Sequence, residues 1–237
     1  MTDNKAILIG HYGGDNTHSL AAWSSTFLDL EIPMPENIDE RVDAIVDYIV
    51  NNSKKIRNVE QLLLYLGQEG HNSPFRFSAL HFVTTTEIAT HIQFLKHSVA
   101  LLAENAESAR YKELKEDKFY LPNDWLEFGD KGKFWYDTLN AQSEKLNKMY
   151  HNCFKDLVEA GMPKARAKES ARFFKMYNSQ LNSNKFLSFD GFVQIYKKRC
   201  LDSPSQYEIG NVVEQMLNEI RSIPGNPFKY SLKAFGL

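Results

Sequence analysis

The stretch Phe77-Ser-Ala-Leu-His-Phe-Val83 constrains this chain most. Phe77, Ala79, His81 and Val83 alternate with Ser78, Leu80 and Phe82, so a strand here carries apolar side chains on both faces. Such a strand needs cover on either side and belongs inside a sheet. Most of the remaining sequence reads as helix. Val42, Ile45, Val46 and Ile49 fall on one helical face over 39–51, and a shorter helix fits 59–66, ending at Gly67. Ile88, Ile92, Leu95 and Val99 form another helical stripe. The clearest helix is 134–160, with Trp135, Leu139, Leu146, Met149, Cys153 and Leu157 along one side. Gly161 followed by Pro163 stops it. Helices also fit 164–176, 189–200 and 206–222. Residues 5–9 read as a strand entering the turn Gly13-Gly14-Asp15, residues 118–121 as a short strand before Pro122, and 69–75 as a loop. A chain of 237 residues with no internal repeat or linker is enough for one sizeable core. The expectation is α+β: a single domain over 1–237, with a mixed or antiparallel sheet packed by several helices.

Charge narrows the function classes. The formal net charge is -2, so no global field draws the chain to nucleic acid or to a membrane surface. Any anion site has to be built locally. Cys153 and Cys200 make neither a disulfide framework nor a zinc pattern. With no basic region followed by an apolar run at the start, and no bilayer-length apolar stretch, the expected location is the cytoplasm. The seven histidines show no metal spacing.

Three constellations suit chemistry. Gln93-Phe-Leu-Lys96-His97-Ser98 is followed by Ser108-Ala109-Arg110-Tyr111. Ser-x-Arg offers a compact donor and a bidentate guanidinium fork, both suited to phosphate. It also reads as an exposed arginine paired with Glu107. Arg172 and Arg199 are far apart in sequence yet can converge on one dianion; they also read as two surface arginines. His71-Asn72-Ser73-Pro74-Phe75 is a loop placed just before the central strand, a common ligand position, and equally an ordinary turn with Pro74 fixing φ. G-x-S-x-G, G-x-x-x-x-G-K-[ST] and G-x-G-x-x-G are all missing.

Taken together, these pieces resemble the flavin-dependent thymidylate synthases over most of the chain. The resemblance runs from Gly13-Gly14-Asp15 and Ala21-Ala22-Trp23-Ser24-Ser25 through Gly70 to Phe75, Gln93 to Tyr111, Ala171-Arg172 and Arg199 to Gln206-Tyr207-Glu208-Ile209. The family signature, Arg-His-Arg, a spacer, then Ser-x-Arg-Tyr, reads here as Lys96-His97-Ser98, a spacer, then Ser108-Ala109-Arg110-Tyr111. The resemblance implies a homotetramer with FAD at subunit interfaces. It implies reduction of FAD by NADPH and transfer of a methylene group from methylenetetrahydrofolate to C5 of dUMP, with no enzymic nucleophile and no metal. By match, Gln93, Ser108, Arg110, Arg172 and Arg199 hold dUMP. Ser25, His71, Ser73, Arg76, Lys96, His97 and Gln194 fall on the flavin side.

The departures concentrate on that flavin side. Lys96 keeps the charge of the first signature Arg but loses its fork, and Ser98 loses the charge of the second. Arg76 stands where a Glu often follows Pro-Phe. Ala106 replaces a polar residue, Trp23 replaces an Arg, and the usual Asn pair is missing near Ser188 and Gln194. Three readings follow. The chain is an active thymidylate synthase with altered flavin contacts, a relative that modifies C5 of another pyrimidine nucleotide (UMP or dCMP, by methyl or hydroxymethyl), or a catalytically silent nucleotide-binding homologue.

Overall fold

The helices that begin after Asn58, Glu87 and Ser188 start where the sequence offers a capping side chain. The computed structural model describes residues 3–25, 34–53, 57–97, 99–108, 114, 116–202 and 207–237. In chain order these form β1 (Lys5–Tyr12), α1 (Asp15–Trp23), α2 (Arg41–Asn52), α3 (Val59–Gln68), β2 (Ala79–Glu87) and α4 (Ile88–Leu95). Then come β3 (Leu101–Ala106), α5 (Gly129–Glu159), α6 (Lys164–Ala171), β4 (Gln180–Leu187), α7 (Phe189–Tyr196), α8 (Tyr207–Arg221) and α9 (Lys229–Ala234). Side-chain oxygens cap three helices. Asn58 accepts from the Gln61 N–H at 2.9 Å, Glu87 from Thr90 at 3.0 Å and Ser188 from Gly191 at 3.1 Å.

The strands pair in the order β1-β2-β4-β3. Thr84 meets Ser183 and Thr85 meets Asn182, so numbering rises on one strand as it falls on the other. The sheet is antiparallel and the fold α+β, as expected. The central strand is β2, but it begins at Ala79, and Phe77 is 60% exposed. Leu80, Phe82, Thr84 and Thr86 are buried, while His81, Val83 and Thr85 on the opposite face are half-buried.

The chain divides into two compact units. The first comprises Met1–Lys5, Thr84–Lys96 and Asn105–Asn184; the second comprises Ala6–Val83, His97–Glu104 and Lys185–Leu237. The divide falls inside all four strands. Among the described residues no helix is long and apolar enough to cross a membrane.

In the second unit, Trp23 packs with Ile45, Val46 and Ile49 between α1 and α2. The edge strand β1 is protected from solvent pairing by α8: Gln215 accepts from the Ala6 N–H at 3.1 Å, and Glu219 from Leu8 at 3.0 Å. A buried polar chain ties α1 to α9. Ser231 donates its hydroxyl to Asp15 at 2.6 Å, and His18 Nδ1 lies 2.8 Å from Ser231 Oγ. With the Ser231 proton committed to Asp15, Nδ1 must donate. Nε2 then accepts from the Ser78 hydroxyl at 2.8 Å, and Ser78 Oγ receives the Phe189 N–H at 3.3 Å.

The structure changes several sequence expectations. The α4 stripe does not point inward: Thr90 and Phe94 are buried, whereas Ile92 and Leu95 are partly exposed, and Val99 lies beyond the helix, 90% exposed. In α5 the buried positions are Gly132, Ser143, Asn147 and Tyr150, while Trp135 is 59% exposed. Polar partners decide that face. Asn147 Oδ1 receives Lys175 Nζ at 2.7 Å, and Ser143 Oγ receives Asn178 Nδ2 at 2.9 Å. The short strand expected over 118–121 is a single bridge between Phe119 and Ser179. The helices expected over 164–176 and 189–200 end earlier, at Ala171 and Tyr196, and continue as a 3-10 turn and a π-helical turn respectively.

Candidate functional site

The loop after α3 is shaped by its own residues. Gly70 takes φ 71°, a left-handed conformation that favours glycine, and the chain then turns through the 3-10 segment Ser73–Arg76. Pro74 and Phe75 are buried and anchor this turn, Phe75 packing edge-on to His18 at 5.3 Å and to Phe235 at 4.8 Å. His71, Ser73 and Arg76 are left exposed. The turn meets the head of α7: Arg76 Nε donates to Asp190 Oδ2 at 2.8 Å. Gln194, one helical turn on, donates its Nε2 to the same oxygen at 2.8 Å. Two residues assigned to the flavin side, Arg76 and Gln194, are thus joined through a carboxylate that sequence reasoning had not singled out.

A second junction draws on both ends of α7. Gly191 allows the 97–104 segment to dock, since a Cβ there would sit 2.3 Å from the Ala100 carbonyl. That fixes His97, whose own carbonyl caps Ala100 and Leu101. After Tyr196 the helix widens into a π-helical turn, Lys197–Leu201, closed by the Asp202 N–H on the Lys197 carbonyl at 2.8 Å. Such turns redirect side chains and recur at functional sites. Here Arg199 Nε donates to His97 Nε2 at 2.8 Å. His97 is therefore an acceptor at Nε2, with its proton on Nδ1. Burial, then the charges of Arg199 and Lys198, push its pKa down to about 4 from 6.5. A residue assigned to the flavin and one assigned to the nucleotide are in direct contact across 102 positions of sequence. Nearby, burial and then Glu214 push the Cys200 thiol up to about 12, which keeps it protonated and unreactive.

In the first unit the assigned residues sit on three elements. Gln93 is half-buried on α4, and its Oε1 is buried without a partner. Ser108 follows β3, next to Glu107, which exchanges bonds with the Asn182 backbone at 2.8 and 2.9 Å. Arg172 opens the 3-10 turn after α6 and is exposed. Lys96 is exposed after α4. Arg110 and Ser98 lie outside the described residues. In the second unit, Ser25 lies two residues past the end of α1 and donates its hydroxyl to the Ala22 carbonyl at 2.8 Å. Trp23, in place of the family's Arg, is a core residue, 4% exposed.

Sequence reasoning missed one polar cluster in this unit. Lys175, nearly buried, donates to Asp117 at 2.8 Å and to Asn147 at 2.7 Å, and lies 4.5 Å over the Tyr150 ring. His151 meets the same Asp117 at 3.0 Å. Lys175, Asp117, Glu107, Thr85 and Asn182 border a cavity of about 30 Å³, room for about one water. No sequence spacing announces this group, because its members come from three separate segments.

Comparisons with known proteins agree with the resemblance. The family described as Thymidylate synthase complementing protein matches residues 20–224. The flavin-dependent thymidylate synthase of Streptomyces avermitilis is 27% identical over 168 residues, covering 65% of this chain and 68% of that protein. The enzyme of the same name from Pseudothermotoga lettingae is 28% identical over 168 residues, covering 69% and 71%. Among solved structures, a UMP/dUMP methylase, PolB, from Streptomyces cacaoi bound with 5-Br dUMP superposes with a TM-score of 0.71. It is 20% identical, over 100% of this chain and 96% of that one.

Proposed function

This chain belongs to the thymidylate synthase complementing protein family, that of the flavin-dependent thymidylate synthases, and on that premise we propose that it methylates C5 of dUMP to give dTMP. Methylenetetrahydrofolate is the carbon source and NADPH the reductant. The incoming carbon is at the oxidation level of formaldehyde, so reaching a methyl group takes two electrons, and the hydrogen on C5 leaves as a proton. Bound FAD supplies the hydride chemistry.

The His97–Arg199 bond carries the reading. Arg199 brings a guanidinium for the nucleotide phosphate to a histidine on the flavin side. His97, uncharged at neutral pH, holds that guanidinium without cancelling its charge. Arg172, Arg110, Ser108 and Gln93 complete the nucleotide set in this reading, and the unpartnered Gln93 Oε1 supports a ligand contact there. Ser25, His71, Ser73, Arg76, Lys96, His97 and Gln194 form the flavin set. Positive charge beside a reduced flavin stabilises its anion. Arg76 is partly neutralised by Asp190, whereas Lys198 and Arg199 both bring charge to His97. Those two residues stand in for the cation missing at Ser98.

The second reading is C5 modification of UMP in place of dUMP. It is supported by the fold neighbour, a UMP/dUMP methylase also solved with 5-Br UMP. Incubating purified protein with FAD, NADPH, methylenetetrahydrofolate and either dUMP or UMP, then weighing the product by mass spectrometry, tests both. dTMP from dUMP is the expected product. A protein that holds nucleotide but no flavin, and gives no product, is the silent homologue instead.

We also infer a homotetramer in the cytoplasm. Ile7 and Ile9, each 53% exposed on β1, support a covered surface in an assembly. A stable monomer that holds flavin in sedimentation overturns it.

A further inference from the structure

Arg172 is carried by a turn too short to hold itself in place. The 3-10 segment Arg172–Phe174 is closed by the Lys175 N–H on the Arg172 carbonyl at 2.9 Å. A turn of this length has little stability of its own. The Arg172 side chain is exposed and makes no hydrogen bond or ion pair with the described residues, so it does not fix the turn either. What fixes it is the residue that closes it. The Lys175 side chain is 5% exposed. Its Nζ donates to Asp117 Oδ1 at 2.8 Å and to Asn147 Oδ1 at 2.7 Å, and lies 4.5 Å over the Tyr150 ring. Three partners thus surround an ammonium that has three N–H groups.

Asp117 is held as firmly. Its φ of 49° is in the left-handed region, which Asp tolerates without preferring it. Its carbonyl accepts from Asn147 Nδ2 at 3.1 Å, and its carboxylate also meets His151 Nε2 at 3.0 Å. Asn147 and His151 are one turn apart on α5, and Ser143, one turn earlier, receives Asn178 Nδ2 at 2.9 Å. This stripe of α5 therefore receives two stretches of chain, 117–120 and 172–178, and the Lys175–Asp117 pair ties one to the other. The backbone joins them again, the Tyr120 N–H donating to the Asn178 carbonyl at 2.9 Å and the Gln180 N–H to the Lys118 carbonyl at 3.0 Å. All of these residues belong to the first unit. Stability alone does not call for a charge here, because an apolar side chain covers a turn without the cost of desolvating an ammonium. An apolar contact, however, leaves the direction of the turn loose, whereas hydrogen bonds to two particular oxygens fix it.

We propose that Lys175 and Asp117 are positioning residues for the nucleotide phosphate, their ion pair setting the turn from which Arg172 reaches it. The assignment rests on the reading of Arg172 as a phosphate ligand given above. Neither Lys175 nor Asp117 touches the nucleotide; both act through Arg172. A guanidinium grips a phosphate through two parallel bonds only when its fork is aligned with the oxygens. A turn free to pivot loses that alignment while the rest of the fold stays intact.

A double-mutant cycle separates aiming from bulk stability. Binding of dUMP is measured by titration calorimetry for wild type, Lys175→Met, Lys175→Arg, Asp117→Asn, Arg172→Ala and the double variant Lys175→Met with Arg172→Ala. Lys175→Met should weaken dUMP roughly five- to thirtyfold, within the coupling found between residues of one network. Lys175→Arg keeps the charge and should recover part of that loss. The double variant should bind no worse than Arg172→Ala alone, because with the guanidinium gone nothing is left to aim. Thermal unfolding reports whether each variant keeps its fold. Asp117→Asn removes the ionic partner and still suits the left-handed backbone. It should weaken dUMP in the same way, also without adding to Arg172→Ala, and it decides the question if Lys175→Met does not fold. Wild-type affinity in Lys175→Met and Asp117→Asn, or losses that add in full to that of Arg172→Ala, overturns the assignment and leaves the role of Arg172 standing. Wild-type affinity in Arg172→Ala overturns that role, and this assignment with it.

Discussion

Arg199 donates its Nε to His97, a partner that carries no charge at neutral pH. A phosphate monoester is close to a dianion at neutral pH, and a chain of net charge -2 has to meet it with local guanidinium groups. Replacing Arg199 or Arg172 by Ala should weaken dUMP binding by roughly 1.5–3 kcal/mol, measured by titration calorimetry. Lys at either position should restore only part of this, because it keeps the charge and loses the fork. Unchanged binding in both Ala variants would refute the assignment. Arg76→Glu is a sharper change than its exposure suggests, since it sets a second carboxylate against the buried Asp190. Flavin affinity should fall in that variant, and Ser98→Arg should raise it. Equal flavin binding in wild type and both variants ends the idea that charge on this side matters.

At the level of elements, buried polar pairs decide which segments meet. His18 links α1 to α9 through Ser231 and reaches Ser78 ahead of β2. Burial pushes its pKa down to about 3 from 6.5, so the folded chain keeps it neutral. Below pH 6.5 the unfolded chain binds a proton that the folded chain does not. The stability it contributes is complete above pH 6.5 and drains away as pH falls towards 3. Unfolding free energy should drop over that window with a slope of up to about 1.4 kcal/mol per pH unit from this residue. In His18→Gln the slope should shrink by that amount, as read from urea titrations at several pH values. An identical slope would sink the assignment. The β3–β4 pairing behaves differently. Lys185, with no exposed side-chain surface, is paired with Glu104. Replacing one partner by an apolar residue strands a buried charge and should cost roughly 3–5 kcal/mol, whereas Lys185→Met with Glu104→Leu together should be close to neutral.

Over the whole molecule, the two units share every strand of the sheet. We infer that they are parts of one domain. Heat or denaturant should then unfold the chain in one transition, with near-ultraviolet and far-ultraviolet dichroism changing together. Two separated transitions would divide the chain as the units do. The family assignment extends over 20–224, most of both units. The assigned residues are likewise spread over both, Gln93, Ser108 and Arg172 in the first, Arg76, His97 and Arg199 in the second.

Local sequence determined what depends on local pattern. The apolar periodicity of 39–51 and 206–222, the Gly161 stop and the alternation around Leu80 and Phe82 mark elements that the fold retains, whereas Gly67 lies inside α3, which ends at Gln68. The order of Lys96-His97 and Ser108, across a spacer slightly longer than the family's, and the spacing of Arg172 from Arg199 carry the resemblance. What local pattern could not decide is pairing at a distance. The strands β3 and β4, Leu-Leu-Ala-Glu-Asn-Ala and Gln-Leu-Asn-Ser-Asn-Lys-Phe-Leu, lack a clean alternation. Their polar residues become strand residues only when Glu104, Thr84 and Thr85 arrive to bond Lys185, Ser183 and Asn182. The face of α5 was misread for the same reason, because Ser143 and Asn147 are buried by partners rather than by hydrophobicity. Asp190 looked like an ordinary first-turn acid. Only the tertiary structure brings Arg76, 114 residues away in sequence, to bond its carboxylate.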